Sequence, residues 1–136
     1  MKITEPQTKA AYEIASQVYD KNLTQKNGAD ELQNKFDLNI NSARDFINDY
    51  KHLLNGELFQ RSMSAPQMDY FLTNIALERG SVKYSLAISA LEKHIEYYEK
   101  FRSVNLGKMR GVVKKHKLQI SWPISLIDME IRVLGS

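Results

Sequence analysis

The sequence predicts an all-α fold, a compact bundle of five or six helices. Apolar residues recur at three- and four-residue spacing along most of the chain, as they do on one face of a helix. Ser and Thr stand where helix N-caps are expected, and Gly stands where helices should end. The 136 residues are enough for one domain with a hydrophobic core. We assign residues 1–118 to this helical domain and residues 119–136 to a C-terminal tail.

Two helices are predicted in the first third of the chain. The first begins near Pro6, because proline is favourable in a first turn, and it ends near Tyr19. Its apolar face consists of Ala11, Ile14, Ala15 and Val18. Thr24 is the expected N-cap of the second helix, which ends near Phe36.

The third predicted helix is the most clearly marked. Ser42 is its expected N-cap, and Asp45 places a negative charge against the positive end of the helix. Asn55 and Gly56 form its expected stop. Its apolar positions are Ala43, Phe46, Ile47, Tyr50, Leu53 and Leu54. A helix, a short polar turn and a capped second helix are typical of a helix-turn-helix, so this pair predicts a nucleic-acid partner.

The middle of the chain predicts two further helices. Ser64 caps the first of them, and Gly80 stands at its expected C-terminal end. Ser81 then caps the longest predicted helix, which runs to about Arg102.

The last predicted helix is basic and covers about residues 104–118. Gly107 and Gly111 lower its helix propensity by about 1 kcal/mol each relative to alanine, so we expect it to depend on packing or on a ligand. Trp122 and Pro123 should break any helix. The pattern beyond them leaves open whether the tail docks as a short strand or as a helix.

Charge is unevenly distributed along the chain. The net charge is +3. Residues 1–99 carry 11 Lys and Arg against 14 Asp and Glu, whereas residues 100–136 carry 8 against 2. Seven of these cations lie between Lys100 and Lys117, where no acidic residue occurs. This imbalance indicates a surface for a polyanion, unless it is only a solvated helix face.

Composition also excludes several classes of protein. The chain has no cysteine, so neither a disulfide nor a thiolate zinc site is available. No apolar run follows the N-terminal residues, and no stretch approaches about 18 apolar residues, so we expect neither a signal peptide nor a membrane span. We therefore expect a soluble cytoplasmic domain.

Catalytic or metal-binding chemistry has little support. His52, His94 and His116 are isolated in sequence, without a second histidine or a carboxylate at ligand spacing. We predict that they are structural or exposed rather than metal ligands. Phosphate-binding glycine motifs and a nucleophile elbow are also absent from the sequence. We therefore expect no enzyme activity and no cofactor.

The third helix supplies a candidate surface for reading duplex DNA. Its polar residues opposite the apolar stripe are Asn41, Arg44, Asp45, Asn48, Lys51 and His52. The predicted DNA contacts on this helix are Asn41, Ser42, Arg44, Asn48, Lys51 and His52. Arg can read guanine and Asn can read adenine in a major groove, while Lys suits a phosphate. Additional phosphate contacts are predicted from Arg61, Lys108, Arg110, Lys114 and Lys115.

Several blocks of the chain also resemble a known family. They are residues 42–50 (SARDFINDY), 54–57 (LNGE), 59–61 (FQR), 70–72 (YFL), 87–91 (AISAL) and 94–99 (HIEYYE). They resemble the N-terminal helical module found ahead of HNH nuclease domains in McrA-like, restriction-endonuclease-related bacterial proteins, over roughly residues 8 to 115. The resemblance implies DNA targeting in restriction and phage defence. It does not imply nuclease activity, because the His-rich metal site of an HNH domain is missing here.

Acidic residues motivate an alternative hypothesis. Asp45 and Asp49 lie one turn apart on the third helix, and Glu92 and Glu96 lie one turn apart on the longest helix. Carboxylates repel phosphates, and an acidic face can instead mimic them towards a protein partner. The alternative is therefore a protein–protein interaction module, such as a phage-borne inhibitor of a nuclease or defence complex, or a homodimer.

Overall fold

The computed structural model describes an all-helical chain, as predicted. It covers the backbone of residues 2–59, 61, 63–102 and 106–134, with side chains through residue 120. Within those ranges there are five helices and no strand. The helices are α1 (Glu5–Tyr19), α2 (Gln25–Phe36), α3 (Ile40–Asn55), α4 (Ala65–Phe101) and α5 (Gly107–Leu134). The predicted bundle of five or six helices is confirmed.

The starts of the helices follow from local capping. Thr4 begins α1 and Thr24 begins α2, and each side chain accepts a hydrogen bond from a backbone amide of the first turn. The predicted cap of α3 is wrong. Asn39, rather than Ser42, is the N-cap, and its Oδ1 accepts the Asn41 amide at 2.8 Å. Asp37 adopts a left-handed conformation (φ 57°, ψ 32°) at the end of α2, and α3 begins three residues later at Ile40.

Helix α4 is interrupted where the sequence predicted one helix to end and another to begin. Ser64 and Gln67 form a capping box at its start. Gly80 has φ 87° and ψ 176°, a backbone conformation that breaks the helix and that L side chains rarely adopt. The segments before and after Gly80 are therefore two stretches of helix joined at a sharp change of direction.

The core lies around α3, which packs against α1, α2 and α4. Aromatic rings from three helices meet there. Tyr12 of α1 lies edge-on to Tyr50 of α3 and to Phe71 of α4, with centroid distances of 5.3 and 5.2 Å. Phe46 stacks on Phe71 at 5.7 Å. Edge-to-face and offset pairs of this kind add packing energy beyond their buried area. The six predicted apolar positions of α3 are all buried.

Arg79 of α4 fixes the orientation of α1 and α3. Its guanidinium donates to both carboxylate oxygens of Asp20 at 2.8 and 3.0 Å and to Ser16 Oγ at 2.7 Å. Its Nε donates to Tyr50 Oη at 2.9 Å. The hydrogen bond to Asp20 raises the pKa of Arg79, and planar bidentate pairing of this kind is specific to arginine.

Helix α5 packs only on α4 among the described elements. The expectation that Trp122 and Pro123 break the helix is wrong, because the helical backbone continues to Leu134. Proline removes one backbone hydrogen bond and kinks a helix, but the chain on either side can remain helical. The predicted start near residue 104 lies outside the described residues.

Candidate nucleic-acid interface

The exposed side of α3 presents the polar residues that the sequence singled out. Asn41, Arg44, Asn48 and Lys51 are all exposed, and we call these four residues the α3 surface. Their spacing of three, four and three residues places them on one stripe of the helix. Ser42 and His52 lie beside that stripe, and both are half-buried. The stripe spans roughly 15 Å at 1.5 Å per residue.

A tight connection holds α2 beside α3. Only three residues, 37–39, separate the two helices, and Leu38 among them is buried. Gln25 Nε2 donates to Asn48 Oδ1 at 3.2 Å, which brings the start of α2 alongside the α3 surface. A three-residue connection is the length found in helix-turn-helix motifs.

Gly28 allows α2 to approach its neighbours closely. A Cβ at this position would lie 2.9 Å from Ile14 Cγ2 and 2.9 Å from Val18 Cγ2, and 3.5 Å from Ile47 Cδ1. The methyl groups of Ile14 and Val18 belong to β-branched side chains with stiff χ1 angles, so they cannot easily move away. Glycine at this position therefore fixes how near α2 lies to α1 and α3.

The two cations of the α3 surface have no close carboxylate partner, although the charge of Lys51 adds to the hydrogen bonds of Asn55 and His52 in lowering the pKa of Glu57. In the described part of the chain, no carboxylate lies within salt-bridge distance of Arg44 or Lys51. The ring of His52, on the same helix, is half-buried, and its Nδ1 lies 3.4 Å from Glu57 Oε1. Arg44 and Lys51 therefore remain available to an external anion.

Asp49 does not belong to this surface, contrary to the predicted acidic pair with Asp45. Its relative exposure is 4%, and it has no hydrogen-bond partner among the described residues. Burial, and to a lesser degree the charge of Asp45, raise the pKa of Asp49 to about 8. At neutral pH this carboxyl is mostly protonated, so it adds little negative charge near the α3 surface.

The basic segment of α5 is largely neutralised by α4, which the sequence did not reveal. Glu99 pairs with Arg110, whose Nε donates to Glu99 Oε2 at 2.9 Å. Lys115 pairs with Asp69 at 2.9 Å, and Lys117 pairs with Glu92 at 2.6 Å. Two of the predicted phosphate contacts, Arg110 and Lys115, are therefore engaged in ion pairs.

The remaining predicted phosphate contacts are exposed but dispersed. Lys108 and Lys114 lie on α5 and form no salt bridge with any residue the structure describes. Arg61 is exposed on the connection between α3 and α4. Because α5 makes no contact with α3 in the described structure, the predicted residues do not form one continuous site.

A buried polar network joins α4 and α5, and it was missing from the sequence-based prediction. His116 has a relative exposure of 0%. Its Nε2 donates to Asp69 Oδ1 at 2.7 Å, and its Nδ1 accepts from Tyr84 Oη at 2.5 Å. The same hydroxyl lies 3.2 Å from Gln119 Oε1. The partners are 32 and 47 residues from His116, so no local pattern could have indicated them.

The electrostatics of this network keep His116 neutral. Burial lowers its pKa, although the hydrogen bond to Asp69 opposes the effect. Burial and the charge of Asp69 raise the pKa of Tyr84 to about 12. Burial alone would raise the pKa of Asp69, but hydrogen bonds from Lys115 and His116 lower it overall. An imidazole without exposed surface has no access to a substrate, so the network anchors α5 to α4.

His94 is also a core residue. Its ring stacks on Phe59 with a centroid distance of 4.4 Å. Nδ1 lies 2.6 Å from the Phe59 carbonyl oxygen, and because a carbonyl only accepts, Nδ1 must carry the proton. Burial lowers the pKa of His94, with the Phe59 carbonyl acting in the opposite direction.

Comparison with known proteins adds no family to these observations. No family model matches the chain, and neither a curated protein nor a solved structure matches it. Across the described ranges, no group of three or more His, Asp or Glu side chains is arranged to hold a metal ion. None of the helices in the described part combines the length and apolar character needed to cross a lipid bilayer.

Proposed function

We propose that this protein is a non-catalytic nucleic-acid-binding module that contacts duplex DNA through the α3 surface. The observation that carries the proposal is an exposed stripe of two amides and two cations on one helix, with neither cation in a salt bridge within the described structure. The helix follows a short turn from α2, and its other side is fixed in the core. A rigid, positively charged helix face of this kind fits the major groove of B-DNA.

Each residue of the α3 surface has a role in the proposed complex. Arg44 donates two hydrogen bonds to a guanine edge, and Asn48 pairs with an adenine edge after releasing Gln25. Lys51, one turn further along the helix, contacts a phosphate and so sets the register. Because Asp49 is buried and mostly neutral, it does not oppose these contacts.

The basic segment of α5 has a smaller role in this proposal than its charge suggests. Lys108 and Lys114 add weak phosphate contacts at the edge of the complex. Arg110 and Lys115 would first have to leave Glu99 and Asp69, which reduces any net gain from a phosphate. The resemblance to the module ahead of HNH nucleases supports a targeting role in restriction or phage defence. The absence of cysteine fits a cytoplasmic location.

The proposal is tested by fluorescence anisotropy with a pool of randomised duplex DNA at several salt concentrations. We expect binding that weakens steeply with salt. The double variant Arg44→Ala, Lys51→Ala should bind at least about tenfold more weakly, with a salt slope shallower by about 1 to 2. The double variant Lys2→Ala, Lys9→Ala removes the same charge from exposed positions before and on α1 and serves as the matched control.

Two outcomes would reject the proposal. Undetectable binding of the unmodified protein to DNA at low salt would exclude a nucleic-acid module. Equal loss of affinity in both double variants would show that binding depends on net charge and not on the α3 surface.

A protein partner is the second candidate function, and a specific observation favours it. Leu77 and Val82, on either side of the Gly80 break, are 78% and 72% exposed. Two large apolar side chains this exposed offer contact area to a protein partner, such as a nuclease or defence complex that this protein would inhibit. A partner captured from host lysate after complete digestion of DNA and RNA, and lost in the variant Leu77→Ser, Val82→Ser, would support this function.

A further inference from the structure

A groove runs along the junction of α4 and α5. Its floor is apolar and consists of Ile95, Val113 and Leu118. Its α4 wall carries Glu92 and Glu96, and its α5 wall carries Arg110, Lys114 and Lys117. The groove therefore has one acidic wall and one basic wall on either side of an apolar strip, and we call it the α4–α5 groove.

Most of the charges along these walls already have partners within the chain. Lys117 pairs with Glu92, and Arg110 pairs with Glu99 at the end of α4. Glu96 and Lys114 are the exceptions: both are exposed, and neither is in a salt bridge with a residue in the described part of the protein. One charge of each sign outside a salt bridge thus remains on opposite walls, although the charge of Glu96 adds to that of Glu99 in raising the pKa of Arg110.

The apolar floor is exposed at Leu118. Its side chain is 49% exposed, whereas Ile95 and Val113 are 3% and 8% exposed. Placing a second apolar surface over Leu118 would remove it from water at a gain of about 25 cal/mol per Å². An occupant of the groove therefore has both an apolar and an electrostatic reason to bind.

We propose that the occupant is a second copy of this chain, bound through the same groove about a two-fold axis. In such an interface, each patch faces its own equivalent, so the patch must be complementary to itself. An acid on one wall and a base on the other meet this requirement. Glu96 of one protomer faces Lys114 of the other, and the contact occurs twice. A groove with two walls of one sign would instead repel its own copy.

The dimer does not depend on the proposed function. None of the residues that line the α4–α5 groove belongs to α3, and α5 makes no contact with α3 in the described structure. Dimerisation therefore leaves both α3 surfaces free. It can be measured without DNA, so failure of either proposal would not imply failure of the other.

Sedimentation equilibrium of the full chain, from micromolar to several hundred micromolar, is the first test. We expect a reversible, concentration-dependent species of twice the chain mass. Each of the variants Glu96→Lys and Lys114→Glu creates two like-charge contacts in the dimer, so its dissociation constant should rise at least about tenfold. Glu13→Lys makes the same charge change at an exposed site on α1 and should leave the dissociation constant unchanged.

An equimolar mixture of the two single variants gives the decisive result. In a heterodimer, one protomer has lysine at both positions and the other has glutamate at both, so both reciprocal contacts become attractive. We expect the mixture to dimerise while each variant alone does not, with thermal melts showing that both remain folded. A monomeric unmodified protein at every concentration, or a mixture that stays monomeric, would overturn the proposal.

Discussion

The α3 surface and the basic segment of α5 differ in a way that linear charge density does not reveal. The α5 segment contains many more cations per residue, yet Arg110, Lys115 and Lys117 are paired with acids of α4. The α3 surface has only two cations, and both lack a carboxylate partner in the described structure. The excess positive charge of α5 thus serves mainly to dock it on α4, whereas the modest charge of α3 is directed outwards.

The two regions also bury polar groups differently. In α5, His116 is fully buried and both ring nitrogens have hydrogen-bond partners. In α3, Asp49 is nearly as buried but has no partner among the described residues. A satisfied buried group specifies a unique arrangement, whereas burial of a carboxyl disfavours its ionised form. Helix α5 is therefore held by a polar anchor, and α3 is held by the aromatic core although it buries an ionisable group.

The largest effect is expected from breaking the anchor of α5. The variant His116→Ala leaves a cavity and removes the partner of both Tyr84 and Asp69, so the free energy of unfolding should fall by about 2–4 kcal/mol. Urea denaturation followed by circular dichroism measures it. Lys108→Ala, at an exposed position on the same helix, is the control and should change little.

The pH dependence of the same variant sharpens this test. Because burial lowers the pKa of His116 in the folded state, its contribution to stability is full above its unfolded pKa of about 6.5 and is lost as the pH falls below that value. The difference between the unmodified protein and His116→Ala should therefore shrink in acid. A difference that grows in acid would contradict a neutral, buried imidazole.

The next largest effect is expected from replacing the buried carboxyl of α3. The pKa of Asp49 is raised in the folded state, so its full contribution to stability is present below its unfolded value of 3.8 and is lost as the pH rises towards about 8. Asp49→Asn should therefore be more stable than the unmodified protein by roughly 1–3 kcal/mol at pH 8.

Thermal unfolding at pH 8 and at pH 4 measures this effect, and the gain should nearly vanish at pH 4. Asp30→Asn is a suitable control, because Asp30 forms only a long, exposed contact with Lys26 at 3.8 Å. A stability gain of equal size at both pH values would show that Asp49 does not change its protonation on folding.

Two glycine substitutions compare the packing around α2 and α3 with the packing around α5. Gly28→Ala places a Cβ 2.9 Å from two stiff side chains, so a loss of about 1–2 kcal/mol is expected despite the better helix propensity of alanine. Gly111→Ala in α5 meets nothing within 4 Å and should gain about 0.5–1 kcal/mol. Midpoints of urea denaturation compare the two, and the same sign in both variants would refute the contrast.

The smallest effect is expected at the surface of α5. Arg110→Ala removes an exposed ion pair with Glu99, and such pairs contribute little to stability. The thermal midpoint should stay close to that of the unmodified protein, and DNA affinity should change less than in Arg44→Ala. A drop in affinity as large as that of Arg44→Ala would show that α5 contributes as much to DNA binding as α3 does.

Much of the fold could be predicted because it is decided within a few residues. Thr24, Ser64, Gly56 and Gly80 act on backbone groups within one turn, and each marks a helix boundary or break in the structure. The buried stripe of α3 follows in the same way from its helical spacing. The cap of α3 was misplaced because Asn39 and Ser42 are both good caps, and the structure uses Asn39.

The candidate site could be predicted only in part. The exposed stripe of α3 is the complement of its apolar stripe, so its position follows from the sequence. The burial of Asp49 could not be predicted, because it lies beside the apolar stripe and only the neighbouring helices determine whether water reaches it. The same holds for Lys115 and Asp69, which are 46 residues apart.

The sequence by itself determined which segments are helices, where most of them begin and end, and which side of α3 is apolar. These properties depend on capping, backbone freedom and helical spacing, which act over a few residues. Only the tertiary structure decided which charges are neutralised and which polar groups lose contact with water. Both depend on how α4 docks against α3 and α5, because an electrostatic field and a desolvation penalty are set by neighbours in space.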